Sequence, residues 1–110
     1  MNKMNRTDIE NIYTQTIESR AFRKEFGKTL KSFKLIYGEF EILYLLLGKE
    51  SLQPTAITAL LNCQPAATSR IIRSLHQRNL LTYNHDLDDR RQVFVSLTAS
   101  GLALIKSVIA

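Results

Sequence analysis

The side chains with the greatest chemical reach in this chain are a pair of arginines. Arg90 and Arg91 sit in the stretch Asp-Asp-Arg-Arg-Gln-Val-Phe-Val-Ser-Leu-Thr-Ala-Ser-Gly, residues 88–101, on a polar tip between two short apolar runs. Guanidinium groups on such a tip reach a surface that the rest of a small domain does not, which makes nucleic acid the first partner to consider. Asp88 and Asp89 offset part of the local charge and are placed to hold the arginines by ion pairing. A charged loop tip taken alone is more often simply solvated, so its meaning depends on what stands beside it. Upstream, Ala66, Ser69, Arg70, Arg73 and Gln77 recur at helical spacing on one side of residues 65–78. Small residues near a helix start allow close approach to a major groove, while guanidinium groups reach phosphates or the guanine edge.

Both sets need elements to position them. Leu81, Tyr83 and His85 alternate with Thr82 and Asn84, and Val93, Val95 and Leu97 alternate with Phe94 and Ser96, the period of two that a half-buried strand requires. The pair predicts a β-hairpin, and without an Asn-Gly or Gly-Gly turn its connection is expected to be long and mobile. Before it, Pro54 to Leu61 carries Ile57, Leu60 and Leu61 at helical spacing, followed by the turn Asn62-Cys63-Gln64 and a second helix opened by Pro65 in its favoured first-turn position. On that second helix Thr68, Ile71, Ile72 and Leu75 share the face opposite the arginines. One face packs and the other is left to read.

Helix-turn-helix followed by hairpin resembles the MarR family of bacterial winged-helix transcription regulators, from about Ile36 to Leu104. The resemblance rests on Thr68-Ser69-Arg70, on Leu75 through Leu80-Leu81, on Asp89-Arg90-Arg91, and on Leu97-Thr98-Ala99-Ser100-Gly101. It implies a recognition helix in the major groove bearing Ser69, Arg70 and Arg73, and Arg91 of the wing in the adjacent minor groove, oriented by Asp89. It also implies double-stranded DNA as partner, a dimer on a pseudo-palindromic site, and a small-molecule effector, for which Tyr13, Tyr37 and Tyr44 are candidate pocket residues beside their ordinary role in packing. Asn79 stands where such proteins usually have Gly, and Asn also tolerates the left-handed conformation of a helix end. The sequence ends at Ala110, short of the further helix that usually builds the dimer interface, so the terminal helices are expected to take that role.

Those helices have apolar surface to spare. Thr7 with Glu10 has the spacing of a capping box, and a helical pattern continues almost to Phe33 with a change of phase midway. Ile9, Ile12, Tyr13, Thr16 and Ile17 share one side, whereas Phe22, Phe26, Thr29 and Phe33 lie roughly opposite. One core cannot bury both stripes, so the helix either bends near Ser19 or packs its first half on a second subunit. Arg20, Arg23, Lys24, Lys28, Lys31 and Lys34 follow along the second half, a face whose ordinary fate is solvation. A helix over Tyr37–Leu47 should pack through Phe40, Leu43, Tyr44 and Leu47. In the last helix Leu102, Leu104, Ile105, Val108 and Ile109 cover most of the circumference. The expected dimer contacts are Ile9, Ile12, Tyr13, Ile17, Leu102, Ile105 and Ile109.

Composition agrees with these readings. Fifteen Lys and Arg against ten Asp and Glu give a net charge of +5, which favours an anionic partner. No apolar run approaches the roughly 20 residues that span a bilayer, since Ile42 to Leu47 is soon interrupted by Gly48, Lys49 and Glu50. The first residues are polar, without the apolar segment of a signal peptide, so a cytoplasmic location is expected and no membrane partner. Neither His76 nor His85 has paired cysteines or a second ligand at metal spacing, and there is no Gly-rich phosphate loop, so no metal, no cofactor and no enzymatic activity are expected. Cys63 is expected as a small buried residue of the turn, and a redox role would need an exposed electropositive setting.

The reading is therefore a mainly α (α+β) winged helix-turn-helix in the order α-α-α-α-β-β-α, one domain over 1–110. Its parts are a long N-terminal helix at 7–34, the helix-turn-helix at 54–78, the wing at 81–97 and a C-terminal helix at 98–110. Expected DNA contacts are Ser69, Arg70, Arg73, Gln77, Arg90 and Arg91. The alternative is a protein-interaction adaptor that keeps this frame and offers its basic surface to an acidic protein.

Overall fold

The computed structural model describes residues 5–110, so residues 1–4 of the expected domain lie outside the described residues. The elements are α1 Arg6–Ser32, α2 Tyr37–Leu46, α3 Pro54–Leu61, α4 Pro65–Gln77, β1 Leu81–His85, β2 Val93–Leu97 and α5 Ala99–Ile109, the order the sequence predicts. The strands pair antiparallel with Leu81 opposite Leu97 and His85 opposite Val93. Leu52, in the segment ahead of α3, adds a short third rung to that sheet by exchanging two backbone hydrogen bonds with Val95, at 2.9 and 2.8 Å. A single Leu offers no periodicity from which sequence could predict this rung.

Helix starts and stops follow local chemistry. The cap of α1 is Asn5, whose side chain accepts from the Asp8 backbone N–H at 2.8 Å, rather than Thr7. With the start moved back, Glu10 lies inside the helix and pairs with Arg6 instead, at 3.1 Å. At the ends of α1, α3 and α4, Lys34, Asn62 and Asn79 adopt positive φ. The next residue closes a six-residue ring in each case: Leu35 to Leu30, Cys63 to Thr58, and Leu80 to Leu75. Left-handed backbone at a residue with a Cβ costs about 1 kcal/mol, least for Asn, whose short polar side chain tolerates it.

The core is built from Leu30, Leu35, Ile42, Leu43, Leu46, Ile57, Ile72, Leu75, Leu81, Val95 and Ile105, with neighbours from every element. Two expected packing positions are corrected. Tyr44 is 54% exposed because α2 turns Ile42, Leu43 and Leu46 inward, and Leu60 faces out because α3 turns Ile57 inward. Since α2 is apolar on nearly every side, periodicity could not choose its face. Helix α1 runs unbroken through Ser19, so the two stripes are not separated by a break there, and only its last turns, with Phe26, Leu30 and Phe33, meet the core.

Two contacts fix how these elements meet. Glu39 is buried, and its carboxylate accepts from the Ile36 N–H at 3.0 Å, the Ser74 hydroxyl at 3.2 Å and Arg78 Nη1 at 3.3 Å. Arg78 Nη1 also donates to the Lys34 carbonyl at 2.9 Å, so one guanidinium ties the end of α4 to the α1–α2 junction. At the other contact Thr98 caps α5 by accepting from Gly101 N–H at 3.0 Å and donates its hydroxyl proton to the Asn79 carbonyl at 2.7 Å. Its N–H donates to the Leu80 carbonyl at 3.2 Å. A Cβ on Gly101 would stand 2.1 Å from that same carbonyl oxygen, a backbone atom that cannot swing aside.

Opposite effects are therefore expected from two glycine exchanges. Gly101→Ala should destabilise by about 3 kcal/mol through overpacking, whereas Asn79→Gly should be neutral or stabilise by a few tenths. Urea unfolding of both variants checks this, and equal midpoints would refute the proposed clash.

Candidate nucleic-acid interface

Helix α4 presents two sides of opposite character. Thr68, Ile72 and Leu75 are buried and Ile71 is half-buried, while Ser69, Arg70, Arg73 and Gln77 are exposed. All four expected contact residues thus stand on one solvent-facing surface. Among the described residues no carboxylate lies within ion-pair distance of Arg70 or Arg73. Their charge is unspent inside the molecule. The turn that sets α4 is braced by Thr68: its hydroxyl lies 2.9 Å from the Cys63 sulfur, and its N–H donates to the Gln64 carbonyl at 3.1 Å. Cys63 is half-buried there rather than fully enclosed.

The wing loop from Asp86 to Gln92 is longer than a two-residue turn, as its composition predicts, and it is cross-braced. Asp86 N–H donates to the Gln92 carbonyl at 3.1 Å, Gln92 N–H to the Asp89 carbonyl at 3.0 Å, and Asp88 N–H to the Asp86 carboxylate at 2.8 Å. Asp89 Oδ1 accepts from both the backbone N–H and Nε of Arg91, at 3.0 and 3.1 Å. The Arg91 side chain is nonetheless 92% exposed: the aspartate holds the near end of the guanidinium and leaves its far edge free. Arg90 is exposed beside it, its carbonyl meeting His85 Nδ1 at 2.9 Å. Gln53 donates a side-chain hydrogen bond to Gln92, which ties the base of the wing to the start of α3.

The remaining expected residues divide. Ile9, Ile12, Tyr13 and Ile17 are exposed along the projecting half of α1, and Leu102 and Ile109 are exposed on α5. Ile105 is a correction: it is 0% exposed in the chain's own core and is not available to a second subunit. The cause is the phase of α5, which turns Gly101, Ile105 and Val108 inward. Of the three tyrosines, Tyr37 and Tyr44 pack on Phe40 with centroids at 6.0 and 5.5 Å, and Tyr13 stands apart on α1. His76 meets the edge of Tyr83 at 4.7 Å, a contact between α4 and β1. Among the described residues no group of three or more His, Cys, Asp or Glu is arranged to hold a metal ion. No described helix is long and apolar enough to cross a membrane.

Sequence reasoning passed over Glu39, Ser74 and Arg78. The signal is partial: α2 carries two carboxylates, Glu39 and Glu41, among apolar residues, and a carboxylate buried there demands a partner, but only the fold shows that Glu39 is the buried one.

Comparison with known proteins bears on the same surface. The MarR family model matches residues 35–93, more than half of the chain. An uncharacterised HTH-type transcriptional regulator of Bacillus subtilis, YwaE, is 32% identical over 81 residues, which are 74% of this chain and 47% of that protein. The chain thus spans about half the length of this curated relative. Among solved structures, AbsC, a MarR family transcriptional regulator from Streptomyces coelicolor, superposes with a TM-score of 0.84 at 22% identity, over 99% of this chain and 75% of AbsC. A variant of Staphylococcus aureus MepR bound to an oligodeoxyribonucleotide gives 0.76 at 20% identity, over 90% of this chain and 73% of MepR. The arginine-bearing helix, the braced wing and the Thr98–Gly101 clasp thus lie on a winged helix-turn-helix, and the chain belongs to the MarR family.

Proposed function

We propose that this chain is a sequence-specific DNA-binding transcriptional regulator that works as a two-fold dimer on a pseudo-palindromic site. The observation that carries the reading is the pairing of an unspent arginine face on α4 with a wing whose Arg91 is held at one end and free at the other. Ser69, Arg70, Arg73 and Gln77 enter the major groove, where bidentate contacts to guanine are the commonest specific interaction. Arg90 and Arg91 approach the neighbouring minor groove, and the Asp89 bond limits the rotamers that Arg91 must give up on binding. The DNA-bound MepR variant, of similar fold, supports duplex DNA as the ligand. Such a chain acts in the cytoplasm, where a bacterial chromosome lies.

Assembly follows from the apolar surface left uncovered. The Ile9, Ile12, Tyr13 and Ile17 stripe stands clear of the core, and Leu102 and Ile109 are exposed apolar residues on α5. In a dimer that covers this stripe and reads a pseudo-palindrome, the two recognition helices should lie about 34 Å apart, one turn of B-DNA.

Selection from a random duplex pool should recover a pseudo-palindrome; featureless recovery would instead favour the adaptor reading. On the selected site, Arg70→Ala or Arg73→Ala should cost about 1–3 kcal/mol and relax preference at one position. Arg91→Ala should weaken binding most where the flanks are rich in A·T pairs. Unchanged affinity in all three variants would remove the DNA-reading assignment. The double exchange Ile12→Asp with Ile17→Asp should give monomers or insoluble protein by light scattering, and a monomeric wild type at micromolar concentration would contradict the dimer.

A further inference from the structure

The described residues contain four backbones at positive φ, and three of them belong to residue types that tolerate it: Gly48, Asn62 and Asn79. The fourth is Lys34, at φ 59. A glycine at this position would close the end of α1 with the same two backbone bonds, Lys34 N–H to the Lys31 carbonyl and Leu35 N–H to the Leu30 carbonyl, both 3.0 Å, and without strain. Strain kept where a cheaper residue would serve points to work done by the side chain. Its place in the fold shows what kind. The Lys34 carbonyl accepts from Arg78 at the end of α4, and the adjoining cleft is lined by Ile36, Glu39, Arg70, Ile71 and Ser74. The lysine precedes by two residues Ile36, which lines that cleft together with Arg70. It is exposed, and among the described residues neither it nor Lys31 has a carboxylate within ion-pair distance.

We propose that Lys34, with Lys31 behind it, is a phosphate-gripping edge outside the helix-turn-helix and wing, which takes hold of the DNA backbone beside the recognition helix. This rests on the DNA-binding reading above and adds a role to it: phosphate contacts fix register and orientation, whereas base contacts specify sequence. Arg78, engaged with Glu39 and the Lys34 carbonyl, holds the α1–α2 junction against α4, so the lysine is carried at a set distance from the bases that Arg70 reads.

The test uses Lys34→Gly, since this exchange removes the charge and the strain together. The variant should unfold a few degrees higher than the wild type, which excludes misfolding as the cause of any loss. It should bind several-fold more weakly, equally on selected and unrelated duplexes, with a salt slope shallower by about one per subunit. Lys34→Arg should keep the wild-type slope, and Lys24→Gln, which removes the same charge from the middle of α1, should also leave it unchanged. If Lys34→Gly binds with wild-type affinity and slope while Arg70→Ala still loses affinity, the phosphate edge is wrong and the recognition helix stands. A slope lowered as much by Lys24→Gln would overturn the assignment to this position. A wild type that retains no duplex would overturn the DNA-binding reading and this inference with it.

Discussion

The Leu80 carbonyl is the point on which the joint between the helix-turn-helix and the wing depends. One residue earlier Asn79 ends α4, one residue later β1 begins, and the carbonyl itself accepts from Thr98 where β2 gives way to α5. Four elements therefore meet over a single peptide unit. They can meet this closely only because Gly101 has no side chain and because Asn79 tolerates left-handed backbone. The Leu-Thr-x-x-Gly signature thus has a mechanical content: Thr98 supplies the cap and Gly101 the clearance. How α4 joins the wing is set there, by backbone contacts that involve none of the arginines.

A second constraint acts at the opposite side of α4. Glu39 would be costly to bury alone, and three donors surround it, from the α2 start, from Ser74 and from Arg78. Charge-assisted bonds of this kind are directional in a way that leucine packing is not. The apolar contacts of α2 and α4 supply cohesion, and the carboxylate supplies register. With the Leu80 clasp at its end and Glu39 along its side, α4 has little freedom to slide or roll, so the position of Arg70 and Arg73 is a property of the whole fold.

How much of this was legible in the sequence depended on how local the cause was. Helix α4 is readable because its residues divide between two fates, Thr68, Ile72 and Leu75 inward, Ser69, Arg70 and Arg73 outward; the hairpin is readable as strands, but only Leu81 and Val95 of its alternating residues are fully buried, and Tyr83 and His85 face out. The four outward side chains of α4 follow from the same contrast, and the Asp89–Arg91 pair from opposite charges at neighbouring positions. Helix α2 does not declare its face, because from Ile42 to Leu46 every position is apolar and periodicity alone does not single out Tyr44 as the exposed one. Leu52 and Arg78 owe their roles to partners more than 35 positions away, Val95 and Glu39 respectively, and no local pattern encodes such pairings. Ile105 shows the same limit: α5 has apolar residues on most of its surface, and only the fold decides that Ile105 enters the core while Ile109 does not.

The first turns of α1 have a thermodynamic character different from the rest of the chain. From Arg6 to Ala21 every residue is exposed, so this stretch of helix is supported by its own hydrogen bonds, the Asn5 cap and one Arg6–Glu10 pair. Helices with no tertiary contact are marginal in water, and such capping and pairing contribute only about 1 kcal/mol and a few tenths respectively. Seen from the chain alone, the stretch is a helix–coil equilibrium attached to a folded body. Whatever settles on its isoleucine stripe shifts that equilibrium, and part of the binding free energy goes into ordering backbone. Association and secondary structure are thereby one process in this segment. Its local opening free energy rises as the stripe is covered, and amide exchange there measures occupancy directly.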